Sequence, residues 1–336
     1  MKRFAVALFI LSSWLVLIGA ASAQTAEDEG WPPQTALFND ALFLARVTPF
    51  LIALGIVVGI VQARAAARGD GEAVVGEQVR RHDTGTIIAH WMNAFGLILG
   101  LVTGAMILQW TERALEVRLV FVIHYFGAAL TLFAIFNHLT RHGVSGGAGL
   151  IPKRFTVIRD LIGELLEYTG LFGPEGAALR IPWPKAIRQP IARYVRALLG
   201  YRPSEHHKYL ATEQILSYPP WATLIGLITV TGLIKVLRYI YPMPSEFIAS
   251  VTAIHDLTAI AIGVMLVIHL LPLLLVPANW PLLLSMFRTT VPRKYAESRH
   301  PLWYKTLLAS RKAPERVGET RSEPQAAQPA DAPSGD

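Results

Sequence analysis

The stretch Ser250–Val276, SVTAIHDLTAIAIGVMLVIHLLPLLLV, decides how the rest of the chain is read. It stays apolar for longer than the roughly 20 residues a helix needs to cross a bilayer. Within it only His255, Asp256 and His269 can ionise. Ionisable groups in hydrocarbon are costly and are kept for function. The two histidines are 14 residues apart, almost four helical turns, so they share a face and sit about 21 Å apart along the axis. One imidazole then lies in each leaflet.

Working outward, the same texture recurs near 41–62, 86–109, 118–139 and 219–240. The 336 residues are 52% hydrophobic and 16% charged, where a soluble chain carries about 25% charge. Mean hydropathy is +0.39. We read an all-α integral membrane protein: a four-helix bundle over 80–312, plus one extra N-terminal transmembrane helix. The net charge of +7 then reports topology rather than nucleic-acid binding. There are no cysteines, which excludes disulfides, thiolate metal sites, iron–sulfur clusters and covalently attached haem in this chain. Any metal must be held by histidine, carboxylate or a non-covalent cofactor.

Lys2 and Arg3, an apolar run and Ala21-Ser22-Ala23 predict a signal peptide over 1–23. A mature N-terminus outside the cytoplasm follows. Segment 24–79 then holds a periplasmic N-terminus, the extra helix and a cytoplasmic linker. Five crossings put 63–85, 140–218 and 277–336 inside. These hold 4, 11 and 9 Lys and Arg, 24 of the chain's 31, as the positive-inside rule expects. Within 140–218, Ile158, Leu161, Ile162, Leu165 and Leu166 recur at helical spacing. They predict an amphipathic helix on the inner membrane surface. A weaker stripe runs through Ile187, Ile191, Tyr194, Val195 and Leu198, with Pro182, Pro184 and Pro190 breaking the chain around it. The tail, 313–336, is Pro-, Ala-, Glu- and Ser-rich and predicts disorder. No internal repeat of fixed period is visible.

Five histidines fall in these spans: His90, His124, His138, His255 and His269. Alternating helix direction puts His124 and His255 near the outer face, and His90, His138 and His269 near the inner. Paired imidazoles at two depths suit two stacked haems, each iron six-coordinate and devoted to electron transfer. The outer pair is His124 with His255. The inner ligand beside His269 is His90 or His138, and spacing alone leaves both open, since His124 and His138 are also 14 apart. A zinc site would need ligands converging at one depth. A non-haem transporter or receptor is a remote alternative; such folds show inverted repeats and broken helices.

With these residues in hand the chain resembles the gamma subunit of respiratory formate dehydrogenase, a membrane di-haem cytochrome b related to the cytochrome b subunits of nickel–iron hydrogenase and thiosulfate reductase. The resemblance covers about 80–312. It rests on His90-Trp91, His124-Tyr125-Phe126-Gly127, Lys208-Tyr209, the His255/His269 spacing and His300-Pro301-Leu302-Trp303-Tyr304. The last motif favours formate dehydrogenase over the hydrogenase or thiosulfate reductase branch. The resemblance implies two haem b groups, on His90 with His269 and on His124 with His255. It implies a periplasmic iron–sulfur (beta) partner, a molybdenum or tungsten catalytic (alpha) subunit, and a bacterial inner-membrane location. It implies delivery of electrons to menaquinone or ubiquinone at the cytoplasmic side, the catalytic formate site lying on another subunit. The family's loop has Asn and Gln where this chain has Leu210 and Glu213. Tyr209, Glu213 and Lys208, with His206 and His207 nearby, are therefore the candidate quinone residues.

Overall fold

The computed structural model describes residues 34–111, 115–145, 151, 156–169, 183–200 and 206–311. The expected signal peptide and the expected disordered tail lie outside the described residues. In chain order the helices are α1 (Gln34–Ala65), α2 (Thr84–Ile107), α3 (Val117–Val144), α4 (Thr156–Tyr168), α5 (Lys185–Leu199), α6 (Tyr218–Leu237), α7 (Ser245–Leu275), α8 (Trp280–Arg288), α9 (Arg293–Arg299) and α10 (Pro301–Arg311). Five of them, α1, α2, α3, α6 and α7, are long and apolar enough to cross a membrane.

Polar residues set the ends of these apolar helices. Asp83 caps α2, accepting the Thr86 N–H at 3.0 Å. The same carboxylate pairs with Arg141, near the end of α3, and so ties the start of one span to the end of the next. At the other end of the bundle, Glu116 caps α3 through the Arg118 and Leu119 N–H groups. Arg118 in turn reaches Asp40 of α1 at 2.9 Å.

Between these ends, small residues bring backbones together, since lipid supplies no hydrophobic drive for helix association. A Cβ on Gly96 would stand 2.7 Å from the Gly127 carbonyl oxygen, and one on Gly127 would stand 2.7 Å from that of Gly96. Here α2 and α3 touch backbone to backbone. The extra helix docks in the same way. Gly55 and Gly59, one turn apart on α1, face the carbonyls of Phe133 and Asn137 on α3, each 2.8 Å from the missing Cβ. Leu44, Ala45 and Leu51 of α1 pack with Ala129 and Leu132 of α3 and Val236 of α6.

The structure adds a small sheet that the all-α reading did not contain. Strands β1 (Ala73–Val75) and β2 (Gln78–Arg80) form a hairpin turned at Gly76, whose φ of +59° suits glycine. Strand β3 (Thr290–Pro292) pairs antiparallel with β2. The sheet joins segments more than 200 residues apart, a pairing that local periodicity does not report. Val79, Val291, Ala296, Trp303, Tyr304 and Leu307 form its core with α9 and α10. This cap closes one end of the bundle. The boundary read between residues 79 and 80 falls inside β2.

Helices α4 and α5 form where the two stripes predicted them. Their apolar faces are open: Ile158, Ile162 and Leu165 on α4, and Ile187, Ile191, Tyr194 and Leu198 on α5 are exposed. The inward face of α4 instead buries Glu164 and Glu167. Pro190 does not break the chain as expected; it lies inside α5. Its missing N–H removes one bond near the helix start, and the amphipathic stripe continues through it.

Candidate functional site

Helices α2 and α6 both run away from the cap, and α3 and α7 run back toward it. At the far end this arrangement sets His124 of α3 opposite His255 of α7. Their ring centroids are 6.4 Å apart and the rings are inclined by 63°. One metal bound between two imidazole nitrogens, at about 2.0–2.1 Å from each, holds ring centres roughly 6 Å apart. The observed spacing fits a single metal held from both sides.

Each imidazole has a threonine behind it. Thr103 Oγ1 lies 2.9 Å from His124 Nδ1, and Thr231 Oγ1 lies 3.0 Å from His255 Nδ1. A threonine hydroxyl has one proton to donate. Thr103 gives it to the Leu99 carbonyl at 2.5 Å, and Thr231 to the Leu227 carbonyl at 2.7 Å. Each hydroxyl must then accept from its histidine, so Nδ1 carries the proton. The Gly100 and Ile228 carbonyls, which can only accept, lie within reach of the same two histidines. Nε2 is left with its lone pair free on both rings, the form that ligates a metal.

Between the rings lies a cavity of about 600 Å³, within the size range of cofactor sites. Glycines shape it. A Cβ on Gly232 would come 3.3 Å from the His255 ring, and one on Gly104 3.9 Å from the His124 ring. Gly100 and Gly263 also line the cavity, and a Cβ on either would meet nothing within 4 Å. The extra helix contributes Leu44 and Thr48 to the wall. Among the described residues no three His, Asp or Glu side chains converge as a bare metal site would need. Two opposed imidazoles at a glycine-sided, mostly apolar cavity suit a metal that brings further ligands of its own, as haem does.

At the cap end, His269 is near enough to His90 to act on its charge. Trp221 stands edge-on to His269 at 6.0 Å, and Trp91 edge-on to His90 at 5.6 Å. The Trp91 indole donates to the Met286 carbonyl at 2.8 Å. His138, the alternative inner ligand, packs instead against His142 at 4.3 Å and Tyr218 at 6.3 Å.

The candidate quinone residues each already have a partner, and those of Lys208 and Tyr209 include the cap residues Glu72 and Arg81. Lys208 pairs with Glu72 at 2.6 Å. Glu213 accepts the Leu210 N–H at 2.8 Å. The Tyr209 ring faces Arg81 at 5.7 Å and Lys208 at 5.0 Å. His206 is buried between Glu164, at 3.5 Å, and Glu167, at 3.3 Å. Burial raises the Glu164 pKa, while the Thr212 and Ala211 N–H groups and His206 oppose that rise. The His300–Tyr304 motif lies inside the cap. His300 Nδ1–H donates to the His207 carbonyl at 2.7 Å, Trp303 donates to Glu72 at 2.5 Å, and Arg81 stacks on Trp303 at 5.4 Å.

Sequence reasoning missed Thr103 and Thr231. A signal was present: Val102-Thr103-Gly104 and Val230-Thr231-Gly232 repeat one tripeptide in two spans. In both, threonine backs the histidine of the following span and glycine makes room for its ring.

Apolar spans arranged around opposed imidazoles define a polytopic membrane protein built to hold a flat metal macrocycle. The family model of prokaryotic cytochrome b561 matches residues 81–289, and the chain belongs to that family. It is a multi-pass membrane cytochrome b that binds haem b and serves as an electron-transfer subunit. No curated protein matches the chain.

Proposed function

We propose that this chain is the membrane-anchoring gamma subunit of a respiratory formate dehydrogenase, holding two b haems and carrying electrons from a periplasmic iron–sulfur partner to menaquinone or ubiquinone at the cytoplasmic side. The observation that carries the reading is the opposed pair His124 and His255, with His269 farther along the same helix near enough to His90 to act on its charge. The His124–His255 pair holds the outer group and the His90–His269 pair the inner one. Haem b supplies a reversible one-electron couple at each position. Each haem would be held by two imidazoles, which would suit it to electron transfer rather than oxygen binding. Thr103 and Thr231 hold the outer ligands in one tautomer, and the apolar walls exclude water.

The preference for formate dehydrogenase over a hydrogenase or thiosulfate reductase partner rests on the resemblance of the 300–304 motif. The buried place of that motif beside Arg81 and Tyr209 gives it a structural role on the side where quinone would dock. Lys208, Tyr209 and Glu213 remain the residues proposed to face quinone. In this reading the mature N-terminus is periplasmic and the cap cytoplasmic.

The test is a reduced-minus-oxidised visible spectrum of the detergent-purified chain, with haem counted as its pyridine complex. Two b haems per chain are expected; one removes half of the ligand assignment, and none in folded protein removes the haem reading. Purification of the tagged chain from native membranes then identifies the partner. Formate-reducible haem supports the formate assignment, and haem reduced only by hydrogen transfers the chain to the hydrogenase branch.

A further inference from the structure

The outer cavity has a charged mouth. Among its described lining residues the permanent cations are Lys235 and Arg238, both on α6, and the carboxylate is Asp256. Lys235 lies one turn beyond Thr231 toward the far end, on the same helix face. It lines the same cavity as His124 and His255 and acts on the charge of both. Among the described residues no carboxylate comes within ion-pair distance of it; Asp256 acts on it only from farther away. Arg238, exposed at the rim, stacks over Tyr239 at 4.8 Å and donates to the Tyr239 hydroxyl at 2.9 Å. That uses one of its five N–H donors.

A half-buried ammonium in a membrane-spanning helix with no ion-pair partner is costly. The cost falls if a carboxylate arrives with the ligand. Haem carries two propionates on one edge of an otherwise apolar disc, and the rest of this wall is largely aliphatic, aromatic and glycine. Among the described lining residues, Lys235 and Arg238 mark the edge of the cavity that favours a carboxylate.

We propose that Lys235, with Arg238 at the rim, is the propionate-binding site of the outer haem and fixes which edge of the macrocycle faces the far end of the bundle. This rests on the haem reading above. The cations add a charge-assisted contact to axial ligation, and they orient the ligand in a pocket whose apolar walls do not distinguish one edge from another.

The test compares two probes on haem-depleted full-length chain in lipid nanodiscs: ferric mesoporphyrin and its dimethyl ester, which lacks free carboxylates. Binding is read from the low-spin absorption band. The wild type is expected to bind the free acid at least tenfold more tightly than the diester at one site. Lys235→Met reduces that preference to near unity while leaving diester affinity unchanged, and Lys235→Arg restores it. Arg238→Gln gives a partial loss. Equal weakening of both probes in Lys235→Met overturns the proposal in favour of a packing role, and an unchanged preference overturns it outright. Failure of the wild type to bind either probe overturns the haem reading instead, so the two failures are distinguishable.

Discussion

Thr103 and Thr231 each donate a proton to the carbonyl one turn back and accept one from a histidine across the helix interface. Side-chain hydrogen bonds between transmembrane helices contribute about 0.6 kcal/mol on average and rarely above about 1.7. Thr103→Val keeps the shape and removes the acceptor. The affected imidazole then loses its fixed tautomer and part of its basicity toward the metal. A shift in the midpoint potential of one haem and a severalfold faster loss of haem to apomyoglobin are expected, with the second haem unchanged. Thr103→Ser restores both properties if the hydroxyl is the cause. Unchanged potential and loss rate in the valine variant count against this role.

At the scale of elements, α1 is seated on α3 through Gly55 and Gly59. A methyl group at Gly59 would lie 2.8 Å from the Asn137 carbonyl oxygen and 3.0 Å from Thr140 Cβ, and backbone cannot yield as a side-chain tip can. Gly59→Leu is expected to lift α1 off the bundle, at a cost of about 1–3 kcal/mol by overpacking. Because α1 supplies Leu44 and Thr48 to the cavity wall, outer-haem retention falls with it. A thermal unfolding curve and a haem count on the same sample check both effects. The cap has its own signature. Burial, Lys208 and Arg81 push the His82 pKa down to about 2. Burial and Arg81 push that of His300 down to about 3. Both are neutral in the folded cap, whereas the unfolded chain binds protons near pH 6.5. The folded pKa values are depressed, so this stability is complete above pH 6.5 and falls as pH drops toward 3. Trp303 fluorescence during denaturation should report a cap that weakens between pH 7 and 5. His300→Asn should flatten that slope, and an unchanged slope removes His300 as its source.

For the whole molecule, the proposed arrangement puts one haem toward each end of α7, and the two are expected to be separable. His255→Ala is expected to leave one haem per chain, the inner one, and to stop reduction through the partner while dithionite still reduces what remains. Loss of both haems would mean that the pairs fold as one unit. Retention of both would mean that the pairing is wrong. His138→Ala should leave two haems, because His138 faces His142 and Tyr218; a single haem in that variant would make it the inner ligand in place of His90.

The sequence by itself determined the five spans, because burial in lipid demands long apolar helices and leaves a period that can be counted. It also determined which histidines share a face of the final span, because helix geometry converts a spacing of 14 into a depth difference. The stripes of α4 and α5 were legible for the same reason. Tertiary structure alone decided three things. It decided which side of α3 meets α1, because glycine contacts depend on the partner's backbone and not on any local pattern. It decided that residues 73–80 and 290–292 form one sheet under the His300–Tyr304 motif, because strand pairing across more than 200 residues carries no periodic signal. And it decided the roles of Thr103, Thr231 and Lys235. Within its own helix each is a polar interruption in an apolar run; only the approach of α3 and α7 turns two hydroxyls into tautomer locks and an ammonium into the charged rim of a cavity.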